Sequence, residues 1–368
     1  MGSPRVIISG GGTGGHIFPA VAIANAIKAL EPNADILFVG AKGKMEMEKV
    51  PAAGYPIRGL WISGLQRKLT PQNLAFPFKV ISSLINARKI IKEFKPQIAI
   101  GVGGFASGPL LKAAASMGIP TMIQEQNSFP GITNKILAPK ARKICVAYDG
   151  MEKWFPEKSI IKTGNPVRRE MVAIEGKRQT AESHFNLKPG ITTLFFMGGS
   201  LGARTINHAV KAMLPRLANL DVQVIWQTGK LYHQQALEDV RQAEASNIRV
   251  HEFIREMDLA YAAADIIISR AGAMSISELC LIGKPAIFVP LPHAAEDHQT
   301  KNAQALVDRN AGILVKDAQC IEELPTVLEQ LISDLDRRDR LGTEILRLGL
   351  PGADEEIARI ALNIIDHN

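Results

Sequence analysis

The regular alternation of short apolar runs with helix-length stretches constrains this chain more than any other feature. The runs read VIIS (6–9), DILFVG (35–40), IAIGV (98–102), TMIQ (121–124) and KICVA (143–147) in the first half. In the second they read TLFFMG (193–198), QVIWQTG (223–229), IRVHEF (248–253), IIISRA (266–271) and AIFVP (286–290). Runs this short, rich in β-branched residues and separated by helical patterns, predict βαβ units, and such units build parallel sheets covered on both faces. Each series opens with a strand that enters a glycine turn and then a helix, SGGGTGG at 9–15 and MGGSLGA at 197–203. The expected fold class is therefore α/β, with two Rossmann-like doubly wound parallel-sheet domains. The join falls at TGNPV (163–167), where Gly164 and Pro166 interrupt both patterns, so the domains are expected at 1–163 and 164–350. A segment 351–368 remains. Its helix places Ile357, Ile360, Ala361 and Ile364 at helical spacing, so it packs on something; the spacing does not say which domain, and a return to the N-terminal one is open.

Composition narrows the class. The 368 residues are 46% hydrophobic and only 5% aromatic, as in globular proteins. The three cysteines show no CxxC spacing, which argues against a disulfide framework or a zinc site. No uncharged apolar run is long enough to cross a membrane, and the N-terminus reads directly into a strand rather than a signal peptide. The net charge of +7 is concentrated in the first half, while the second is mildly acidic. A basic half points to an anionic partner. The Asp-x-Asp within DLDRRDR (334–340) sits among arginines in a helical pattern and reads as a solvated face, not a metal site.

The first glycine turn, GGGTGGH at 10–16, satisfies G-x-G-x-x-G through Gly10, Gly12 and Gly15. Glycines at a strand-to-helix turn let backbone amides approach a phosphate, and the helix N-terminus adds partial positive charge. A dinucleotide site also needs an acid at the end of the second strand, and this strand ends FVGAKGK. A nucleotide-cofactor-binding oxidoreductase is therefore the alternative reading. His16 follows the turn directly. Beside a helix N-terminus its ring tends to stay neutral and can act as a general base, or it can simply hydrogen-bond within the loop.

Seven stretches occur in order: GGTGGH (11–16), GGFASGP (103–109), EQNSFPGITNK (125–135), TGNPVR (163–168), GGSLGAR (198–204), RAGAMSISE (270–278) and DHQTKNA (297–303). Together they resemble glycosyltransferase family 28, the N-acetylglucosaminyltransferases of peptidoglycan synthesis. The resemblance implies a B-fold glycosyltransferase with its two domains facing a cleft. It implies inverting transfer of GlcNAc from UDP-GlcNAc to the C4 hydroxyl of a lipid-linked muramyl-pentapeptide, with no cofactor and no metal. His16 then matches the base, with Glu125 in reserve, although a carboxylate in EQN can equally organise its loop. Thr13, Gly14, Gly15 and Asn127 match positions of the first domain that close over the donor. Arg168 and Gln299 match donor contacts, Ser200 a hydroxyl at the diphosphate, and Ile254 the position whose backbone pairs with uracil. Ala273, Met274 and Ser275 match the turn whose amides face the phosphates. Glu278 matches the ribose-binding acid, although Ser275-x-x-Glu278 also has the form of a capping box. Arg270 and Asn134 match polar positions with no assigned partner.

A lipid-linked acceptor implies peripheral attachment at the cytoplasmic face of the inner membrane. Residues 61–95 mix apolar side chains (Trp61, Leu65, Leu69, Leu74, Phe78, Ile81) with basic ones (Arg67, Lys68, Lys79, Arg88, Lys89), as suits an anionic membrane surface. The same pattern also describes a core helix with a solvated basic face. No aromatic-basic motif of a nucleic-acid binder is present, so nucleic acid is not an expected partner.

Overall fold

A computed structural model describes residues 3–64, 76–199, 202–292 and 294–367. It divides into two compact units, residues 1–167 with 351–368, and residues 168–350. The first holds a seven-stranded parallel sheet in the order β3-β2-β1-β4-β5-β6-β7. Its strands are β1 (Arg5–Gly10), β2 (Asp35–Ala41), β3 (Ile57–Leu60), β4 (Ile98–Gly103), β5 (Thr121–Glu125), β6 (Lys143–Val146) and β7 (Ile160–Lys162). The second holds six parallel strands in the order β10-β9-β8-β11-β12-β13. These are β8 (Thr192–Met197), β9 (Val222–Gln227), β10 (Ile248–His251), β11 (Ile266–Ser269), β12 (Ala286–Phe288) and β13 (Ile313–Leu314).

Both sheets are buried on two faces because successive side chains of a strand point opposite ways. In β1, Val6 and Ile8 join one core with Ile23, Ile27, Phe38 and Ile100. Ile7 faces the other, with Val39, Leu110, Ile123 and Ile144. In the second unit Phe196, Trp226 and Ile268 are fully buried beneath the helix Arg204–Leu217. There the Trp226 indole N–H finds the acceptor it needs in Asn207 Oδ1, at 3.0 Å.

The terminal helix, Ala353–Asp366, packs against Gly14–Leu30 in the first unit. Its Ile357, Ala358 and Ala361 are fully buried in the same core as Val6 and Ile8. The unit boundary lies between Val167 and Arg168, beyond the join placed at Gly164 from sequence. The reason is local: the amides of Thr163 and Gly164 donate to Val146 O. Asn165 bonds Gln124 at 2.8 Å and the backbone of Gln126 at 3.0 Å, which ties this stretch to the first sheet.

In each sheet the strand order reverses direction next to the first strand of the series, between β1 and β4 and between β8 and β11. Loops leaving the carboxyl ends of strands diverge at such a point and leave a crevice, the usual ligand position in open α/β sheets. Both glycine turns stand there.

Candidate active site

In the first unit the turn after β1 leads into the helix Gly14–Leu30, with Thr13 as its N-cap and Gly14 and Gly15 as its opening residues. Gly12 adopts φ 85°, which glycine takes without strain. Its amide donates to Glu46 Oε2 at 2.8 Å, and Glu46 Oε1 accepts from the Ala41 amide at 3.0 Å. Glu46 is 1% exposed. A carboxylate of the chain itself thus occupies an amide that the fingerprint would offer to a phosphate. This removes the main support for the dinucleotide reading.

The same turn holds His16. Its Nδ1 lies 3.1 Å from the carbonyl oxygen of Gly11. A carbonyl can only accept, so Nδ1 carries the proton and Nε2 keeps its lone pair. Loss of surrounding water lowers the His16 pKa below 6.5, partly offset by the Gly11 bond and the Glu46 charge. Gly103 gives the ring its space: a Cβ there would come within 2.7 Å of Nε2. The result is a neutral imidazole with a basic Nε2 at the switch point.

Glu125, the reserve base, ends β5 and accepts four hydrogen bonds. Its Oε1 takes the Asn127 amide and side chain, at 3.0 and 3.1 Å. Its Oε2 takes the Gly131 amide and Asn134 Nδ2, at 3.1 and 2.8 Å. Burial raises its pKa and these four bonds act against that. This is the geometry of a loop organiser, and it supplies Asn127 and Asn134 with their partner.

In the second unit β8 runs into Gly198 and Gly199; Ser200 lies outside the described residues. Across the switch point β11 leads to the helix Ala273–Ile282. Gly272 is its N-cap, so Ala273, Met274 and Ser275 form the first turn, and no side chain among the described residues caps it. Their amides are left for an external acceptor. This corrects the capping-box reading, because Ser275 stands inside the helix rather than at its cap. The Glu278 carboxylate turns elsewhere, accepting at Oε2 the hydroxyl of fully buried Tyr261 at 2.7 Å. Burial raises the Glu278 pKa, while the Tyr261 bond and the Arg168 charge oppose the rise. Arg168 therefore acts on the same carboxylate, as well as being the N-cap of a short helix, Arg169–Val172.

The amide of buried Ile254 donates to Gln227 Oε1 at 3.0 Å, and Gln227 Nε2 reaches Gly199 O at 3.1 Å. A base docking on Ile254 must share or displace that bond. Gln299, in the helix His298–Val307, accepts the Leu291 amide at 2.9 Å. Arg270 bonds Asp317, Val289 O and Pro290 O, and serves as an internal clamp. Asp334 Oδ1 accepts the Arg337 amide at 2.8 Å and so caps the helix Leu335–Arg347. Sequence reading missed Glu46, Tyr261 and Gln227. Each acts through a contact distant in sequence, and none carried a local signal.

The helix Phe76–Phe94 buries Ser83, Ala87 and Ile91. Phe78, Ile81 and Ile85 on its other side are 70%, 57% and 62% exposed. Arg88, Lys89 and Lys92 are exposed farther along. Leu65, Arg67, Lys68, Leu69 and Leu74 lie outside the described residues. No helix among the described residues is long and apolar enough to cross a membrane.

Comparison with known proteins agrees with this arrangement. The family model described as the glycosyltransferase family 28 N-terminal domain matches residues 6–146, and that of the family's C-terminal domain matches residues 193–347. A Cytophaga hutchinsonii protein named UDP-N-acetylglucosamine--N-acetylmuramyl-(pentapeptide) pyrophosphoryl-undecaprenol N-acetylglucosamine transferase is 56% identical over 98% of this chain and 97% of its own length. A Flavobacterium psychrophilum protein of the same name is 52% identical over 98% of both. The crystal structure of Acinetobacter baumannii MurG superposes with a TM-score of 0.80 at 26% identity, covering 98% of this chain and 99% of that one. With both halves matched and relatives more than half identical along nearly the whole length, the chain belongs to glycosyltransferase family 28.

Proposed function

We propose that this chain is an inverting N-acetylglucosaminyltransferase that moves GlcNAc from UDP-GlcNAc to the C4 hydroxyl of a lipid-linked muramyl-pentapeptide. The relatives' names support the donor and acceptor classes. One structural observation carries the donor half. At the second switch point an uncapped helix N-terminus stands beside a carboxylate held by Tyr261. The amides of residues 273–275 suit a diphosphate, and a carboxylate one helical turn farther accepts from ribose hydroxyls.

The reaction is a single displacement. His16 Nε2 takes the proton of the acceptor hydroxyl as its oxygen bonds to the anomeric carbon. The bond from that carbon to the diphosphate breaks on the opposite face, with inversion. UDP departs with the electron pair, and its growing charge is met by the helix amides and Arg168. Thr13, Gly14, Gly15 and Asn127 are assigned to closing over the donor, Gln299 to its sugar hydroxyls, and Ser200 to the diphosphate.

The exposed apolar residues of the helix Phe76–Phe94, followed by basic ones, support attachment to an anionic membrane surface, the cytoplasmic face of the inner membrane. The test is incubation with labelled UDP-GlcNAc and a lipid-linked muramyl-pentapeptide. Label in the lipid product, β-linked at C4, supports the reading. Label released only as free sugar, or no transfer, contradicts it.

A further inference from the structure

Glu46 has no place in the reaction as described so far, yet it is a fully buried acid within the turn that presents His16. Both carboxylate oxygens are engaged by backbone, Oε2 by the Gly12 amide and Oε1 by the Ala41 amide. The side chain lies directly on Gly11, where a Cβ would come within 2.3 Å of Oε1. Gly11 in turn supplies the carbonyl that accepts His16 Nδ1. A short chain of contacts therefore runs from the end of β2, through the carboxylate, to the ring.

From this geometry we infer that Glu46 is a positioning residue for the proposed transfer: it closes the glycine turn against β2 and so holds the carbonyl that fixes the His16 tautomer. Three features carry the inference. Two separate amide donors match two carboxylate oxygens, an arrangement an amide side chain cannot reproduce because it has one acceptor oxygen. Filling the turn from within also keeps an external phosphate from pulling the Gly12 amide and its neighbouring carbonyl out of line. Finally, the charge lies close enough to favour the protonated ring, opposing the effect of burial. Among the described residues Glu46 is the ionisable side chain whose charge acts on His16; the Gly11 carbonyl, Thr13 Oγ1 and Gly103, which also lie near the ring, are uncharged.

The inference rests on the transferase reading, and its test separates the two. Glu46→Gln, Glu46→Asp and His16→Ala are compared with the parent chain for UDP-GlcNAc binding by calorimetry, turnover and the pH dependence of kcat. Glu46→Gln is expected to bind donor within about twofold of the parent, because the uracil, ribose and diphosphate are assigned to the second unit and the turn of the first only closes over the donor. Its kcat should fall about 10- to 100-fold, the scale of a misplaced reacting group. The acid limb of its profile should move to lower pH, since removing a negative charge lowers the His16 pKa. Glu46→Asp keeps the charge but draws the oxygens back by one methylene, so kcat should fall while the acid limb stays near its parent position. In a His16→Ala background Glu46→Gln should cost little more.

A Glu46→Gln chain with parental kcat overturns the role, and so does an equal loss with or without His16. An acid limb that Glu46→Gln leaves unmoved also overturns it, because a purely structural acid would behave that way. If Glu46→Gln does not fold, the pH profile of Glu46→Asp decides: a limb shifted as far as a charge loss would shift it contradicts the assignment. No turnover by the parent chain contradicts the transferase reading itself.

Discussion

The two residues with the largest parts in the proposed reaction, His16 and Glu278, each bear on a neighbour the sequence did not reveal. His16 stands out because it closes a dense glycine cluster, where a base and a local hydrogen bond are equally open readings; the fold shows the local bond, made through Nδ1 to Gly11. Glu46, in KMEMEK, reads as surface charge, and only the folded turn shows its carboxylate on Gly12 and Ala41. Tyr261 reads as a core aromatic and is one, yet its hydroxyl fixes Glu278. His16→Ala is expected to retain donor binding by calorimetry and to lose about 10²–10⁴ in kcat. The pH dependence follows from the lowered pKa: the proposed base is neutral above it, so the acid limb of kcat should lie below the usual histidine range, with activity lost as pH falls through it. Tyr261→Phe removes one hydrogen bond to a carboxylate, about 1.5–3 kcal/mol. Donor affinity should therefore drop roughly tenfold or more. A 2′-deoxyribose donor analogue should lose less, which distinguishes a ribose contact from general loosening.

Elements were legible in proportion to their length and burial. Every apolar run placed from sequence became a strand, whereas β3, β7 and β13 went unplaced. Those three are short and only partly buried, so little apolar patterning marks them. The runs 223–229 and 248–253 end earlier than their sequences suggest, at Gln227 and His251. Beyond those points the chain turns into loops at the carboxyl edge, where Gln227 and Ile254 bond. For the helix Phe76–Phe94, sequence left a membrane face and a solvated core helix equally open. The exposure of Phe78, Ile81 and Ile85 favours the first. Replacing all three by serine should reduce sedimentation with anionic vesicles while leaving the melting temperature nearly unchanged. Ile91→Ala, on the opposite side and buried in the core, should cost about 2–5 kcal/mol in denaturant unfolding.

At the scale of the molecule, the duplicated architecture was legible because two series of strand, glycine turn and helix repeat along the chain. Less legible was how chain continuity differs from unit membership. Residues 351–368 leave the second unit and complete the first, through Ile357, Ala358 and Ala361. Ile357→Ala should therefore cost about 2–5 kcal/mol of stability, read as a loss in the unfolding of the first unit while donor binding is kept. Each unit presents glycine turns at its own switch point, but they are finished differently. In the first the Gly12 amide is taken by Glu46, whereas in the second a carboxylate, Glu278, stands on the helix one turn in; neither following helix has a side-chain cap among the described residues. That difference is the basis for assigning the sugar nucleotide to the second unit. A crystal structure with UDP-GlcNAc bound tests it most directly. The account predicts the diphosphate on the amides of Ala273, Met274 and Ser275, the ribose hydroxyls on Glu278 and the uracil against Ile254. A diphosphate lying instead on Gly12, with Glu46 displaced, would contradict it.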